Sequence, residues 1–430
     1  MRVDAMRGRV LIGVVAGLVM MGCAGAQTAR PVTYWVGSWA ASQQTPEPQN
    51  ALAPEDLRDA TLRQIVHLSA GGSQLRLRVS NAFGRAPLHL TAVHVARSVS
   101  AASSAIDAGS DRAVLFNGAA DVTIPAGAEY LSDAVVLPVA ALSDLAISIH
   151  LDEPPVGETG HPGSRATSYL VHGDMVSAVS LPGAKTVEHW YQISGVDVVS
   201  TAQGAAIVTL GDSITDGHAA TTNGNDRWPD VLAGRLQAAA ASAGLSVLNE
   251  GIGGNRILLD GLGPNALARF DRDVLVQTGV RYVIVLEGVN DLGVLTRDGV
   301  ASAEEHQEMV RRIESAYAQM IARAHTHGVR VLGATILPYA GSGYYHPGPE
   351  NEADRLAINA WIRDASHFDG VVDFDQVMRD PARPVNLIES PEPGSKSAVK
   401  HSGFGDYRLK LILNTRPAER WYRLRPAPAG

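Results

Sequence analysis

The stretch that most constrains the fold is an apolar run that ends in Gly-Asp-Ser. Residues 206–210 read Ala-Ile-Val-Thr-Leu, and Gly211, Asp212 and Ser213 follow directly. A short apolar run of this kind predicts a strand of a parallel sheet, buried on both faces. Open α/β sheets bind their ligands at the carboxyl ends of such strands. Ser213 is therefore a candidate nucleophile if a base and an oxyanion site lie beside it, and otherwise a residue that only caps a helix.

The chain after residue 205 alternates strand patterns with helix patterns. Pro229 suits the first turn of a helix and Gly328 suits the end of one. The alternation predicts a parallel sheet that is covered by helices on both faces. The predicted strands are 206–210, 246–249, 281–286, 329–337 and 370–374, and the predicted helices are 228–243, 303–327 and 349–365.

Residues 32–199 follow a different pattern, with apolar residues at every second position. The segments 74–80, 88–95 and 145–151 show it most clearly, and Gly, Pro, Asn and Asp separate such segments. Many short strands with turn residues between them predict an all-β domain, either a sandwich or a jelly-roll-like fold. We therefore expect this β domain to precede an α/β domain at 205–430, whose composition becomes atypical from about residue 385.

The N-terminus has the pattern of an export signal. Three arginines lie within residues 1–9, residues 10–21 are apolar, and Ala-Gly-Ala stands at 24–26. The apolar run is shorter than a typical membrane span, so a cleaved signal peptide at 1–26 is predicted. The expected location is secreted or periplasmic. In the alternative interpretation, Cys23 carries a lipid anchor.

Composition excludes several kinds of partner. The chain has 430 residues, which favours two domains, and a formal net charge of −8. No basic surface that would bind nucleic acid is indicated. No membrane partner is expected beyond the Cys23 anchor, and the number of subunits is left open. No His, Asp or Glu cluster has the spacing of metal ligands, so neither a metal nor another cofactor is expected.

Two further loops follow predicted strands and carry groups that can bind an oxyanion. The loop 249–256 contains three glycines, which do not form a dinucleotide-binding G-x-G-x-x-G pattern. Its Gly254 can offer a backbone N–H, and Asn290 in the loop 287–291 can offer a side-chain amide. Either loop is otherwise an ordinary turn. Because neighbouring loops of a parallel sheet lie side by side, we expect both to meet Ser213.

These three segments resemble the conserved blocks of the SGNH hydrolases, also called the GDSL esterase/lipase family. Gly211–Ile214 resembles the first block, Gly254 with Asn255 the second, and 288–291 the third, and the resemblance extends over most of 205–380. It implies a flavodoxin-like three-layer α/β/α domain, with Ser213 as nucleophile and with Ser213, Gly254 and Asn290 forming the oxyanion hole. The opening Trp35-Val-Gly-Ser-Trp39 resembles the β domain that precedes the hydrolase in a carbohydrate-esterase-like branch.

The fourth block of the family is Asp-x-x-His, and this chain departs from it. His401 stands six residues before Tyr407, at the spacing of the family histidine, so the resemblance implies that His401 is the catalytic base. The position three residues earlier is Ala398 rather than an acid. His346 is an alternative base on a loop. Three further histidines are weaker alternatives: His189, His218 and His367.

The resemblance implies a secreted serine ester hydrolase that cleaves short, acetyl-like acyl groups through an acyl-enzyme on Ser213. Its expected partner is a small-molecule or polysaccharide ester. The alternative function is a carbohydrate-binding surface protein whose hydrolase domain is degenerate and weakly active or inactive. In that case aromatic residues of the first half would form a sugar platform: Trp35, Trp39, Trp190 and Tyr191. Nucleotide binding is excluded, because the chain has no P-loop.

Overall fold

The computed structural model describes residues 34–200 and 204–387, and the backbone of 422–424. Within these residues no helix is both long and apolar enough to span a bilayer. The predicted signal peptide at 1–26, Cys23 and His401 lie outside the described residues.

The first half of the chain forms antiparallel sheets. Its strands are β1 (Tyr34–Ala40), β2 (Ala60–Leu68), β3 (Leu75–Ser80), β4 (Leu88–Leu90), β5 (Ala92–Arg97), β6 (Arg112–Ala113), β7 (Val122–Ile124), β8 (Glu129–Leu131), β9 (Ser143–Leu151), β10 (Gly160–His161), β11 (Ser168–His172), β12 (Lys185–Val187), β13 (Trp190–Tyr191) and β14 (Ile193–Ser200). One sheet has the order β1-β14-β3-β8 and a larger one the order β12-β11-β2-β9-β5-β6, while β10-β13 and β4-β7 form two-stranded pairs. Short 3₁₀ turns lie at Pro54–Leu57 and Ala108–Ser110.

The core of this half is built from the alternating residues that the sequence pattern predicts. Leu62 of β2, Leu77 of β3 and Ile147 of β9 are fully buried and belong to one apolar cluster. The prediction of many short strands is confirmed. The segment 88–95 is not one strand, because it divides at Thr91 into β4 and β5.

The second half of the chain is built around a mainly parallel sheet. Its strands are β15 (Ala205–Gly211), β16 (Leu245–Gly251), β17 (Val280–Leu286), β18 (Arg330–Ala334), β19 (Gly370–Val372) and β20 (Tyr422–Leu424). Its helices are α1 (Ser213–Asp216), α2 (Trp228–Ala238), α3 (Ala266–Phe270), α4 (Val289–Arg297), α5 (Ala303–Thr326), α6 (Pro349–Arg363) and α7 (Phe374–Met378), and a π-helical turn lies at Asp271–Leu275. The strand order is β16-β15-β17-β18-β19-β20, in which only β20 pairs in the antiparallel sense.

Two elements end earlier than the sequence pattern predicts. Helix α2 stops at Ala238 rather than at residue 243, because Ser242 Oγ donates to the carbonyl of Leu236 at 2.9 Å and takes an acceptor that another helical turn would use. Strand β18 stops at Ala334 rather than at residue 337. There the N–H of Ile336 donates to Asn359 Oδ1 of α6 at 2.7 Å, so a side chain replaces the next strand partner.

The described residues belong to one compact unit in which both halves share hydrogen bonds. Thr278 Oγ1 donates to the buried Asp197 of β14 at 2.7 Å, and the N–H of Val247 in β16 donates to Ser69 Oγ at 3.0 Å. The division into domains at 32–199 and 205–430 stays a prediction.

The predicted aromatic sugar platform is wrong for three of its four residues. Trp39 and Trp190 are 4% and 2% exposed, and their ring centroids lie 4.9 Å apart in an edge-to-face arrangement. Tyr191 is also buried. The guanidinium of Arg76 lies over the half-buried ring of Trp35, with Cζ 4.5 Å from the ring centroid. The rings of Trp39, Trp190 and Tyr191 therefore pack inside the fold and do not form a surface that a sugar could contact.

Candidate active site

The candidate nucleophile stands in a tight turn between β15 and α1. Asp212 caps the helix, because its Oδ1 accepts the N–H of Ile214 at 2.8 Å, and Ser213 is the first helical residue. A Cβ at position 211 would lie 2.1 Å from Thr215 Oγ1, so only glycine fits there. The turn therefore presents Ser213 at the carboxyl end of the sheet.

The other two predicted loops begin at the strands on either side of β15. Gly211 is in register with Gly251 of β16 and with Leu286 of β17. Ser213, Gly254 and Asn290 consequently follow three adjacent strand ends, and all three line one cavity of about 640 Å³. The expected convergence of these loops is present, although the catalytic roles of the residues stay predictions.

The loop of Gly254 is held by a carboxylate that lies three residues after Ser213. Asp216 Oδ2 accepts the N–H of Gly253 at 2.9 Å, while its Oδ1 lies 2.9 Å from His161 Nε2. The other ring nitrogen of His161 lies 2.8 Å from the carbonyl oxygen of Ser42. Both ring nitrogens of His161 thus face oxygen atoms. In this way the antiparallel half fixes a loop of the parallel half.

The amide of Asn290 has one defined orientation. Its Nδ2 donates to the carbonyl of Asn255 at 2.7 Å, and its Oδ1 accepts the hydroxyl of Tyr345 at 2.5 Å. Burial raises the pKa of Tyr345, so this hydroxyl keeps its proton. The carbonyl of Asn255 can only accept a hydrogen bond, so the amide nitrogen of Asn290 must face it. The Tyr345 hydroxyl donates its proton to the amide oxygen. The second amide hydrogen of Asn290 has no acceptor in the part of the chain that the structure describes and can bind a group in the cavity.

The loop that carries Tyr345 rests on helix α4. A Cβ at Gly293, one turn after Asn290, would lie 2.4 Å from Tyr345 Cγ, so the ring occupies the space that a side chain would need. One further turn along the helix, Arg297 Nη1 donates to the hydroxyl of Tyr344 at 3.1 Å. The two tyrosines therefore pack on one face of α4, and both line the cavity.

Two backbone donors at the cavity have no acceptor in the described part of the chain. The N–H of Ser213 is at the first position of α1, where no intrahelical acceptor exists. The N–H of Gly254 is on a loop residue with φ of +72°, a conformation that favours glycine. Together with the Asn290 amide, these groups can donate to one oxygen that carries developing negative charge.

The fully buried Arg269 connects the first two of these loops. Its Nη2 donates to the carbonyl of Gly211 at 3.0 Å, its Nη1 to the carbonyl of Glu250 at 2.6 Å, and its Nε to Asn255 Oδ1 at 3.0 Å. Nη1 also reaches Ser42 Oγ at 2.7 Å and Asp273 Oδ2 at 3.1 Å. One guanidinium thus fixes the relative positions of the first two loops and of β16.

Several carboxyl groups around this arginine are buried, and burial shifts their pKa values upward. It raises the pKa of Asp212 to about 7 and that of Asp291 to about 6. Burial also raises the pKa of Glu287 well above its ordinary value, with nearby Asp212 adding to the effect. Asp291 accepts the N–H groups of Ile257 and Leu258 at 2.8 and 3.1 Å, so it anchors the end of the Gly254 loop.

The histidine candidates have different positions, and His401 lies outside the described residues, so its role stays a prediction. His218 lines the cavity, but its Nδ1 accepts from Arg165 Nη2 at 3.2 Å, and the neutral ring then carries its proton on Nε2. His346 is exposed and is not among the described residues that line the cavity. Of the remaining two, His189 Nδ1 bonds the carbonyl of Pro162 at 2.7 Å, and the ring of His367 stacks on Trp361 at 3.8 Å.

Sequence reasoning missed Tyr345, His161 and Arg269. A signal for Tyr345 is present, since the Tyr-Tyr-His run at 344–346 follows a predicted strand. His161 and Arg269 gave no local signal. Within residues 34–200 and 204–387, no group of three His, Cys, Asp or Glu side chains is arranged to hold a metal ion.

Comparison with known proteins gives a family match for the second half of the chain. Residues 209–391 match the model of the GDSL-like Lipase/Acylhydrolase family. Among solved structures, the chain is similar to a protein from Desulfitobacterium hafniense DCB-2 assigned to the lipolytic G-D-S-L family, at 20% identity and a TM-score of 0.34, covering 49% of this chain and 97% of that one. It is also similar to Axe2, an acetylxylan esterase from Geobacillus stearothermophilus, at 18% identity and a TM-score of 0.29, covering 40% and 77%. No curated protein sequence matches the chain. The family match contains all three loops that meet at the cavity.

Proposed function

Since residues 209–391 contain a GDSL-like lipase/acylhydrolase domain, we propose that this protein is a serine ester hydrolase with Ser213 as its nucleophile. The observation that supports the proposal most is the meeting of Ser213, the Gly254 N–H and the Asn290 amide at one cavity. A nucleophile beside several donors that converge on one point is the arrangement that acyl transfer requires.

The proposed reaction has two acyl-transfer steps. Ser213 Oγ attacks the ester carbonyl carbon and His401 takes the hydroxyl proton, while the carbonyl oxygen becomes an oxyanion. The N–H groups of Ser213 and Gly254 and the Asn290 amide donate to that oxyanion. When the C–O bond breaks, the alcohol leaves with the proton from His401. Water then attacks the acyl-enzyme in the same way and releases the acid and Ser213.

The proposed substrates carry short acyl groups, such as acetyl, on a small alcohol or a polysaccharide. A cavity of about 640 Å³ lies in the usual range for small-molecule sites. Its lining includes glycines and apolar side chains that suit a short acyl chain: Gly253, Gly261, Ile214, Leu262, Val289 and Leu337. We also propose that the protein is secreted or periplasmic, through a signal peptide at 1–26 or a lipid anchor at Cys23.

The decisive experiment compares the wild type with Ser213→Ala on 4-nitrophenyl acetate and on acetylated xylan. We expect the variant to lose at least about 10³-fold of kcat, because no acyl-enzyme can form. Ser366→Ala, at an exposed loop serine, is the matched control and should retain activity. Full activity in Ser213→Ala would contradict the assignment.

A covalent probe separates catalysis from simple binding. An organophosphate reacts only with an activated serine, so mass spectrometry should find the adduct on Ser213 in the wild type and a large loss of labelling in His401→Ala. If the wild type shows neither labelling nor hydrolysis, the hydrolase proposal fails and the alternative of a degenerate domain in a carbohydrate-binding protein is favoured.

A further inference from the structure

The charged side chains that line the cavity in the described part of the chain are all basic. Arg256 and Arg297 face it, together with the imidazole of His218, whereas none of its described lining residues is Asp or Glu. The whole chain has more acidic than basic residues, with a formal net charge of −8. A cavity lining without acidic side chains therefore differs from the composition of the chain. Such a lining favours a ligand that carries negative charge.

Two of these three groups already have polar partners. Arg297 forms an ion pair with Asp298 at 3.0 Å and also donates to Tyr344. His218 accepts a hydrogen bond from Arg165. Their capacity to attract an anion is therefore reduced, which leaves Arg256 as the group to consider.

Arg256 is held in place by backbone, and no described carboxylate forms an ion pair with it. Its Nη2 donates to the carbonyl oxygen of Asp260. The guanidinium lies against Gly261, where a Cβ would be only 2.5 Å from Nη2. The carboxylate of Asp260 instead accepts both the N–H and the side-chain amide of Asn265, at 2.8 and 2.7 Å. The hydrogen bonds from Asn265 lower the pKa of Asp260, and the charge of Arg256 adds to this through space without an ion pair between the two.

Arg256 lies close to a group that is proposed to bind the reacting ester. Arg256 follows the oxyanion donor Gly254 by two residues on the same loop, and both line the cavity. A guanidinium with unused N–H groups binds a carboxylate through paired, charge-assisted hydrogen bonds. We propose that Arg256 forms an anion subsite, so that the preferred substrates are esters that also carry a carboxylate, such as acylated acidic sugars. This inference rests on the proposed function of the same cavity.

The test uses two aryl acetates that differ in charge but little in shape, 4-acetoxybenzoate and 4-acetoxybenzamide. The measured quantity is the ratio of kcat/KM for the anionic ester to that for the neutral ester, at low ionic strength. We expect the wild type to prefer the anion. Arg256→Gln should lower the ratio by about tenfold to hundredfold, the usual effect of losing one charge-assisted interaction. Arg256→Lys should keep part of the preference, because it keeps the charge without the paired N–H groups.

The control is Arg312→Gln, which removes one positive charge from the exposed side of α5 and should leave the ratio unchanged. If the wild type hydrolyses both esters equally well, or if Arg256→Gln leaves the ratio as it is, the subsite inference is wrong while the proposed function stands. If the wild type hydrolyses neither ester nor 4-nitrophenyl acetate, the proposed function itself fails.

Discussion

The carboxylate of Asp216 and the imidazole of His161 are joined by a buried hydrogen bond of 2.9 Å, although 55 residues separate them in the chain. His161 belongs to the antiparallel half, and Asp216 ends the helix that begins with Ser213. Since Asp216 also accepts the N–H of Gly253, this contact affects the loop of a proposed oxyanion donor.

We expect His161→Ala to destabilise the fold and to slow catalysis. Removing one partner of a buried hydrogen bond typically costs about 1–3 kcal/mol, because the remaining polar group loses that partner. A double-mutant cycle with Asp216→Ala, followed by urea unfolding, should give a coupling free energy of about 1–3 kcal/mol. The exposed His172→Ala is the control. Additive losses in the cycle would show that the contact contributes nothing.

Asn290→Ala tests the oxyanion site directly. The amide is proposed to donate to the oxyanion in the transition state, so its removal should reduce kcat by about 10²–10³-fold with little change in KM. Steady-state kinetics on 4-nitrophenyl acetate measure both values. A rise in KM at constant kcat would assign Asn290 to substrate binding rather than to stabilisation of the transition state.

Tyr345→Phe should reduce kcat by about twofold to tenfold. The variant loses the hydroxyl that donates to Asn290 Oδ1, and a neutral hydrogen bond of this kind contributes about 0.5–1.5 kcal/mol. The neighbouring Tyr344→Phe is the matched comparison, because its hydroxyl contacts Arg297 instead. Equal losses of kcat in both variants would argue that Tyr345 does not position the amide.

Gly293→Ala should destabilise the protein even though alanine is the better helix former. An exposed Gly→Ala change inside a helix usually adds about 0.5–1 kcal/mol, but here the new Cβ would overlap the ring of Tyr345. Gly234→Ala in α2, where a Cβ meets nothing within 4 Å, should show the ordinary gain. Combining Gly293→Ala with Tyr345→Ala should restore part of the lost unfolding free energy. A stabilised Gly293→Ala variant would contradict the packing described above.

The raised pKa of Asp212 predicts a pH-dependent stability. The ordinary value of 3.8 rises to about 7 in the fold because of burial, so the folded protein binds the proton more tightly than the unfolded chain does. The resulting stabilisation is complete below pH 3.8 and is lost as the pH rises to about 7. For one group the loss is at most about 1.4 kcal/mol per pH unit.

Asp212→Asn keeps an acceptor for the Ile214 N–H but cannot titrate. We therefore expect the unfolding free energy of the wild type, relative to this variant, to fall between about pH 4 and pH 7. Urea titrations at each pH measure the difference, with the exposed Asp121→Asn as the control for a lost charge. A constant difference in unfolding free energy between the two proteins over this pH range would show that the pKa of Asp212 is not raised.

The strand-end loops could be read from the sequence because their signals are local. Gly211 and Ser213 directly follow an apolar run, and Gly254 and Asn290 follow the next strand patterns, so a parallel sheet suffices to place them together. Local signals alone predict too long a helix α2. Its alanine-rich end has helical propensity, but a hydrogen bond from Ser242 ends the helix.

Features that depend on contacts between distant segments could not be predicted. Nothing local in the sequence indicates that Trp39 and Trp190 pack on each other, because 151 residues separate them in the chain. Arg269 and His161 are polar residues without a motif around them, and only the tertiary structure brings Arg269 to Gly211 and His161 to Asp216. Tyr345 gains its role solely from its contact with Asn290.

The contacts of Ser42 and His161 also determine which recombinant fragments of the protein keep their buried hydrogen bonds. Ser42 Oγ donates to Glu250 at 2.8 Å and accepts from Arg269, and His161 pairs with Asp216. A recombinant fragment that starts at residue 204 would lack both residues and would leave these buried polar groups without partners. The half that carries Ser213 thus depends on buried contacts with the first half, and we expect any fragment that keeps these contacts to need residues 34–200 as well.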